Sequence, residues 1–205
     1  GTDYDHEGVT PRNAPMPLVE LMEIAHACVD AKSGKVKIPD FYDEVVPPSK
    51  AEITSFLKSG FQVSKFKQAY GFKTLRTHDP ADVMRRIWAA PTFEVHGLTG
   101  GYHGPGVKTI VPGHGELKVS MRLVPGQTPE KVFTLLKKHV AKLNPAVKVE
   151  REGMLHPFRG VFDGPYVEAV KRAVRAGFGK EPAFIREGGS IGAVVTMQKA
   201  WKIPI

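Results

Sequence analysis

Cysteine is almost absent from this chain, since Cys28 is the only one among 205 residues. A single thiol can form neither an internal disulfide nor a cysteine-based zinc site, and its apolar helical neighbours predict a buried side chain. No apolar run reaches the roughly 20 residues that span a bilayer. No signal peptide is visible either, so we expect a cytoplasmic protein without membrane contact.

Concentrated charge is lacking as well. Lysine and arginine number 29 against 21 aspartates and glutamates, which gives a formal net charge of +8, yet no long block of like charges occurs. The densest basic group lies on the outer face of a predicted helix and comprises Lys131, Lys137, Lys138 and Lys142. Because a nucleic-acid footprint requires basic residues gathered on one face, this spread favours a solvated helix and no nucleic-acid partner.

The common motifs of metal and phosphate chemistry are missing. No His-x-Asp or His-Glu-x-x-His pattern and no phosphate-binding G-x-x-x-x-G-K-[ST] loop occurs. His114 and Glu116 would share one face of a strand, but two ligands cannot complete a zinc site. No Ser-His-Asp or Cys-His arrangement can be argued from spacing. We therefore predict that this chain holds no catalytic residue and no metal ligand.

Hydrophobic periodicity predicts a ferredoxin-like β-α-β-β-α-β unit that lacks its first strand. Helical spacing begins at Pro17, and strands are predicted at 92–98 and 117–123. An amphipathic helix begins at Pro129, and a last strand is predicted at 147–151. The missing strand leads us to expect a piece of a larger protein.

The pattern changes near residue 155, where we place a domain boundary. Residues 1–155 form the ferredoxin-like domain, with an extra helical insertion at about 38–90. In 156–205 two predicted helices flank a short apolar strand at 183–185, which is typical of a parallel sheet covered by helices. The predicted class is α+β: an antiparallel sheet with two helices, followed by an α/β segment of another domain.

Three polar residues are candidates for binding an anion. Arg122 lies on a predicted strand, where a guanidinium can clamp a carboxylate with two parallel hydrogen bonds. Thr109 ends a glycine-rich loop. Ser190 follows Gly188-Gly189 at a predicted helix start, where free backbone amides suit a carboxylate or phosphate. Each also has an ordinary interpretation: an exposed strand face, a turn hydroxyl and a helix cap.

Several longer motifs resemble the carnosinase-type branch of the di-zinc aminoacylase and dipeptidase family. In chain order they are Ile38-Pro39-Asp40-Phe41-Tyr42-Asp43-Glu44-Val45, Pro91-Thr92-Phe93-Glu94-Val95-His96-Gly97, Val107-Lys108-Thr109-Ile110-Val111-Pro112, Met121-Arg122-Leu123-Val124-Pro125, Phe178-Gly179-Lys180-Glu181-Pro182 and Arg186-Glu187-Gly188-Gly189-Ser190-Ile191. They occur in the family's order and cover nearly the whole chain.

The resemblance implies a metallopeptidase that hydrolyses a dipeptide or an N-acyl amino acid. In that family a catalytic domain holds two zinc ions, and an inserted ferredoxin-like lid forms a homodimer. Residues 1–155 would be the lid, and 156–205 would return to the catalytic domain. Thr109, Arg122 and Ser190 match positions that hold the carboxylate end of the substrate.

The family's metal-binding motifs are absent, so the resemblance implies no metal site and no hydrolysis for this chain alone; the two zinc ions are expected in the parent enzyme. The alternative is a non-catalytic ferredoxin-like module for dimerisation or for binding RNA or protein. An RNA-binding sheet presents an aromatic platform, whereas Phe93 is the only aromatic residue in the two best-defined lid strands.

Overall fold

The computed structural model describes residues 14–187 and 191–201. Its elements in chain order are α1 (Pro17–Cys28), α2 (Lys50–Lys58), α3 (Val63–Ala69), α4 (Pro80–Ala89), β1 (Glu94–Thr99), β2 (Glu116–Ser120), α5 (Pro129–Leu143), α6 (Pro165–Phe178) and α7 (Gly192–Trp201). They divide between two compact units. Described residues of 1–41, 92–121 and 131–152 form the first, and those of 42–91, 122–130 and 153–205 form the second.

The sheet of the first unit is antiparallel. Strands β1 and β2 pair from Glu94 opposite Ser120 to Thr99 opposite Glu116, with an irregularity between Val95 and Gly97. Helices and an antiparallel pair together confirm the predicted α+β class.

Helices α1 and α5 supply most of the core of the first unit. The buried residues recur at helical spacing on both helices: Leu21, Ile24 and Cys28 on α1, and Val132, Leu136 and Val140 on α5. A polar contact also links the two helices, since His139 Nε2 of α5 lies 3.3 Å from the carbonyl oxygen of Ala27 in α1. Cys28 has no exposed surface, and burial raises the pKa of its thiol to about 11.

The core of the second unit is aromatic and lies between α2 and α4. Phe56, Met84 and Ala89 are buried together, and Trp88 packs against them. The rings of Phe56 and Trp88 meet edge to face, with centroids 5.2 Å apart. Such pairs add roughly 1 kcal/mol to the free energy gained by burying their area.

Helix α2 begins with a complete capping box. The Ser49 side chain accepts from the amide of Glu52 at 3.2 Å, and Glu52 Oε2 accepts from the amide of Ser49 at 2.9 Å. This reciprocal pair satisfies two amides that a helix start leaves without partners.

Two predicted strands did not form in the part of the chain that the structure describes. Residues 147–151 keep the alternating exposure of a strand without a ladder partner. In a β-α-β-β-α-β unit the last strand pairs with the first. The described residues begin only three positions before α1 and include no first strand with which 147–151 could pair. Residues 183–185 also lack a strand partner, because both backbone groups of Phe184 bind the side chain of Ser55.

The prediction for Arg122 needs a smaller correction. Strand β2 ends at Ser120, so Arg122 lies two residues beyond the strand rather than within it. Pro125 and Gly126 form a turn directly afterwards and end the ladder early. The domain bounds 1–155 and 156–205 stay a prediction. Among the described helices, none is long and apolar enough to cross a membrane.

Candidate functional site

Arg122 is exposed, and the turn that follows it is held by two hydrogen bonds. The amide of Val124 donates to Gln127 Oε1 at 3.1 Å, and the amide of Gln127 donates back to the carbonyl oxygen of Val124 at 3.1 Å. Both residues are buried. The backbone that follows Arg122 is therefore held in one conformation, which suits a side chain that must meet a ligand at a set position.

A neighbouring segment supports the same turn from outside. The amide of Val46 donates to the carbonyl oxygen of Pro125 at 3.1 Å. Gly126 has φ of +99°, and a Cβ there would lie 1.8 Å from the carbonyl oxygen of Glu44. Only glycine permits this close approach of two backbones.

Thr109 lies in an irregular loop of the first unit, and its side chain is exposed. Val107, two residues earlier, is 92% exposed. Arg122 belongs to the second unit, and Ser190 lies outside the described residues. That the three meet at one ligand stays a prediction.

The structure also shows an ion-pair cluster that sequence reasoning did not find. Glu52 Oε1 accepts from Arg186 Nη2 at 2.6 Å and from Arg186 Nε at 3.1 Å. Arg159 Nη2 lies 3.7 Å from the same oxygen. Arg186 is the first residue of the Arg186-Glu187-Gly188-Gly189-Ser190 motif, so this cluster adjoins a predicted site. The pattern Ser49-x-x-Glu52 is typical of a helix cap and gives no indication of the distant arginine.

Hydrogen bonds and neighbouring arginines, acting against burial, set the charge of Glu52. The side chains of Glu52 and Arg186 are only 10% and 12% exposed. Burial acts to raise the pKa of Glu52, but the Ser49 amide and the two arginines outweigh it and hold that pKa below its ordinary value. Among the described residues, Arg186 Nη1 is buried without a hydrogen-bond partner. The pair is therefore charged at neutral pH and retains one donor.

A second polar group lies across β1 and β2. Ser120 Oγ donates to Glu94 Oε2 at 3.1 Å and lies 2.5 Å from His96 Nε2. A serine nucleophile must give its proton to the histidine, whereas this hydroxyl proton points to Glu94. The three residues link the strands and are not arranged for nucleophilic attack.

A metal site requires at least three suitable ligands close together. Within 14–187 and 191–201, no group of three histidine, cysteine, aspartate or glutamate side chains could hold a metal ion. His114 and Glu116 are both exposed and stand without a third such ligand in that part of the chain. The described residues therefore do not fit a zinc centre.

Comparison with known proteins identifies the architecture. The profile of the peptidase dimerisation domain matches residues 5–148, which is more than half of the chain. The chain belongs to the peptidase dimerisation domain family. This confirms the resemblance drawn from the sequence motifs and favours it over the RNA-binding alternative.

Relatives of this dimerisation domain include named dipeptidases. Human Beta-Ala-His dipeptidase is 30% identical over 85% of the chain and 36% of its own length. Cys-Gly metallodipeptidase DUG1 of Saccharomyces cerevisiae is 30% identical over 95% of the chain and 42% of its own length. The chain thus spans about two fifths of these relatives.

Solved structures agree. An M20 family metallo-carboxypeptidase, Sso-CP2 from Sulfolobus solfataricus, superposes with a TM-score of 0.87 at 32% identity, over 97% of this chain and 45% of that one. Human carnosine dipeptidase 1 superposes with a TM-score of 0.79 at 26% identity, over 97% and 43%. The fold is that of the matching region of M20 metallopeptidases.

Proposed function

We propose that the complete protein hydrolyses dipeptides or N-acyl amino acids and that this chain supplies its dimerisation domain. The observation that carries the proposal is the family match over residues 5–148, together with relatives that are named as metallodipeptidases. These relatives are more than twice as long as the region they share with the chain. The proposal therefore concerns the complete protein, with a cytoplasmic location kept as a prediction.

The second part of the proposal is a binding site for the carboxylate end of the substrate. Thr109, Arg122 and Ser190 offer a hydroxyl, a guanidinium fork and a hydroxyl beside a glycine pair, which is the donor chemistry that an anion needs. The bonded turn after Arg122 supports this assignment, because it limits the positions that the guanidinium can reach.

The metal chemistry is assigned to other parts of the complete protein. Two zinc ions, as the family resemblance implies, would activate water for attack on the amide. Since the described residues form no ligand group, no catalytic step is assigned to them. The chain by itself is accordingly proposed to be inactive.

The third part is a homodimer formed through the lid, residues 1–155, whose described sheet lies in the first unit. In the described residues the sheet is two strands wide, so each strand has one edge that faces away from its partner strand. A two-fold axis lets such an edge pair with its own copy and satisfies both rows of backbone groups.

Activity assays on the complete protein and on this chain test the proposal directly. The complete protein, reloaded with zinc after chelation, should hydrolyse members of a panel of dipeptides and N-acyl amino acids, and the chain should hydrolyse none. Metal analysis after extensive dialysis provides the parallel measurement. A zinc-reloaded complete protein that leaves the whole panel intact would overturn the proposal, and so would turnover by the isolated chain.

A further inference from the structure

Two residues of helix α2 bind two alternate residues of a distant segment. Ser55 Oγ donates to the carbonyl oxygen of Phe184 at 2.9 Å and accepts from the amide of Phe184 at 3.1 Å. One helical turn earlier, Glu52 binds Arg186 through two nitrogens. All four residues belong to the second unit.

The spacing of the two elements explains why these contacts form together. Residues three apart on a helix lie roughly 5–6 Å apart on one face. Residues two apart in an extended chain lie roughly 6.6 Å apart on one side. Phe184 and Arg186 are partly buried, whereas the alternate residues Ala183, Ile185 and Glu187 are exposed. The segment therefore lies on α2 in a single register.

A second helix holds the same segment. Lys171 Nζ of α6 lies 5.5 Å from the centre of the Phe184 ring and is fixed by Glu168 Oε1 at 2.6 Å. Phe184 is thus bound through its backbone by α2 and through its ring by α6. Few positions of the segment satisfy both sets of contacts.

We propose that Glu52 and Ser55 are positioning residues that fix segment 184–186, which precedes Gly188-Gly189-Ser190 in the sequence. The inference rests on the proposed function, in which Ser190 binds the substrate. Ser190 follows Arg186 by only four residues in the sequence. Neither Glu52 nor Ser55 needs to touch the substrate.

The Glu52–Arg186 ion pair makes the attachment of segment 184–186 to α2 specific. Within the part of the chain that the structure describes, both hydrogen bonds of the Arg186 side chain end on Glu52. Removal of the Glu52 charge leaves a largely buried guanidinium that must find another anion or move into solvent. Either response removes the ion pair that attaches Arg186 to α2. The anchor therefore acts on the geometry of the site more than on the substrate directly.

Steady-state kinetics of the complete protein with its best dipeptide test the proposal. Glu52→Gln and Ser55→Ala should each raise KM about tenfold, because small misplacements of a binding group are costly. Ser55→Thr keeps the hydroxyl and should restore most of the affinity. The matched control is Glu181→Gln, which breaks an exposed pair 2.5 Å long with Arg175 and should leave KM unchanged.

Hydrogen exchange of a peptide covering 181–187 supplies a readout that does not depend on activity. Ser55→Ala should speed exchange of the Phe184 amide at least tenfold, and Ser55→Thr should not. Unchanged exchange would overturn the anchoring. If the wild-type protein hydrolyses neither dipeptides nor N-acyl amino acids, the proposed function fails, whereas the exchange result still decides whether Ser55 holds the segment.

A structural role without positioning predicts a different pattern. In that case Glu52→Gln would lower the melting temperature while KM stayed at the wild-type value, and the proposal would be wrong. If Glu52→Gln does not fold, Glu52→Asp takes its place, because it keeps the charge but shortens the reach. A KM for Glu52→Asp equal to wild type would likewise contradict the proposal.

Discussion

Val124 and Gln127 bind each other twice, backbone to side chain and backbone to backbone, at 3.1 Å in each case. Gln127 is only 3% exposed. We expect Gln127→Ala to destabilise the chain by about 1–3 kcal/mol, because the buried Val124 amide loses its acceptor. Urea unfolding measures this change. Gln68→Ala, at an exposed position of α3, should change the free energy by less than about 0.5 kcal/mol, and equal losses would contradict the role of the pair.

Gly126 should tolerate substitution less well than Gly60. A Cβ at Gly126 would lie 1.8 Å from the Glu44 carbonyl oxygen, whereas at Gly60, with φ of +77°, it would meet nothing within 4 Å. Gly60→Ala should lower the free energy of unfolding by only about 1–2 kcal/mol, the strain of an alanine in a left-handed backbone conformation. Gly126→Ala adds a backbone clash and should cost about 3 kcal/mol or more. Thermal unfolding compares them, and similar losses would contradict the close approach.

Acid should remove the contribution of Glu52 to stability. Its pKa is lower in the folded chain than in the unfolded chain, so its stabilisation is complete above about pH 4.3, the ordinary glutamate value, and is lost as the pH falls through the folded pKa. At pH 7, Glu52→Gln should cost about 3 kcal/mol, as for breaking a buried pair. Urea unfolding from pH 7 to pH 3 should show this difference shrinking. A pH-independent difference would mean that the charge of Glu52 does not stabilise the fold.

Arg122 should affect catalysis by the complete protein more than its stability. If Arg122 pairs with the substrate carboxylate, Arg122→Ala should lower kcat/KM by about 2–5 kcal/mol of transition-state stabilisation. Because the side chain is exposed, the melting temperature should change little. Arg122→Lys keeps the charge without the fork and should recover part of the loss. A lower melting temperature with unchanged kcat/KM would indicate a structural role.

The chain should associate as a closed dimer. A two-fold axis pairs one sheet edge with the same edge of a second copy, so that this interface is complete with two chains. Light scattering over a concentration series should therefore level off at twice the chain mass. A strictly monomeric chain at high micromolar concentration would contradict the dimerisation role, and growth without a plateau would indicate open-ended pairing through a second edge.

The sequence predicted the helices better than the contacts between them. Helices α1 and α5 were predicted because proline and apolar spacing are local signals. The extended segment at 183–185 was read as a strand because its apolar pattern is the same whether its partner is a strand or Ser55. No local pattern pairs Glu52 with Arg186, 134 residues away. The resemblance, rather than periodicity, carried the assignments of Thr109, Arg122 and Ser190.

The buried thiol has a practical consequence for experiments on this protein. With a pKa of about 11, only about one Cys28 side chain in ten thousand is a thiolate at pH 7, and the thiolate is the reactive form. Cys28 is the only cysteine in the chain, and it is fully covered by the core of the first unit. A thiol reagent will therefore modify Cys28 only when that core opens. Modification of Cys28 therefore reports opening of the core of the first unit. A cysteine introduced on the surface can be labelled selectively while Cys28 stays buried.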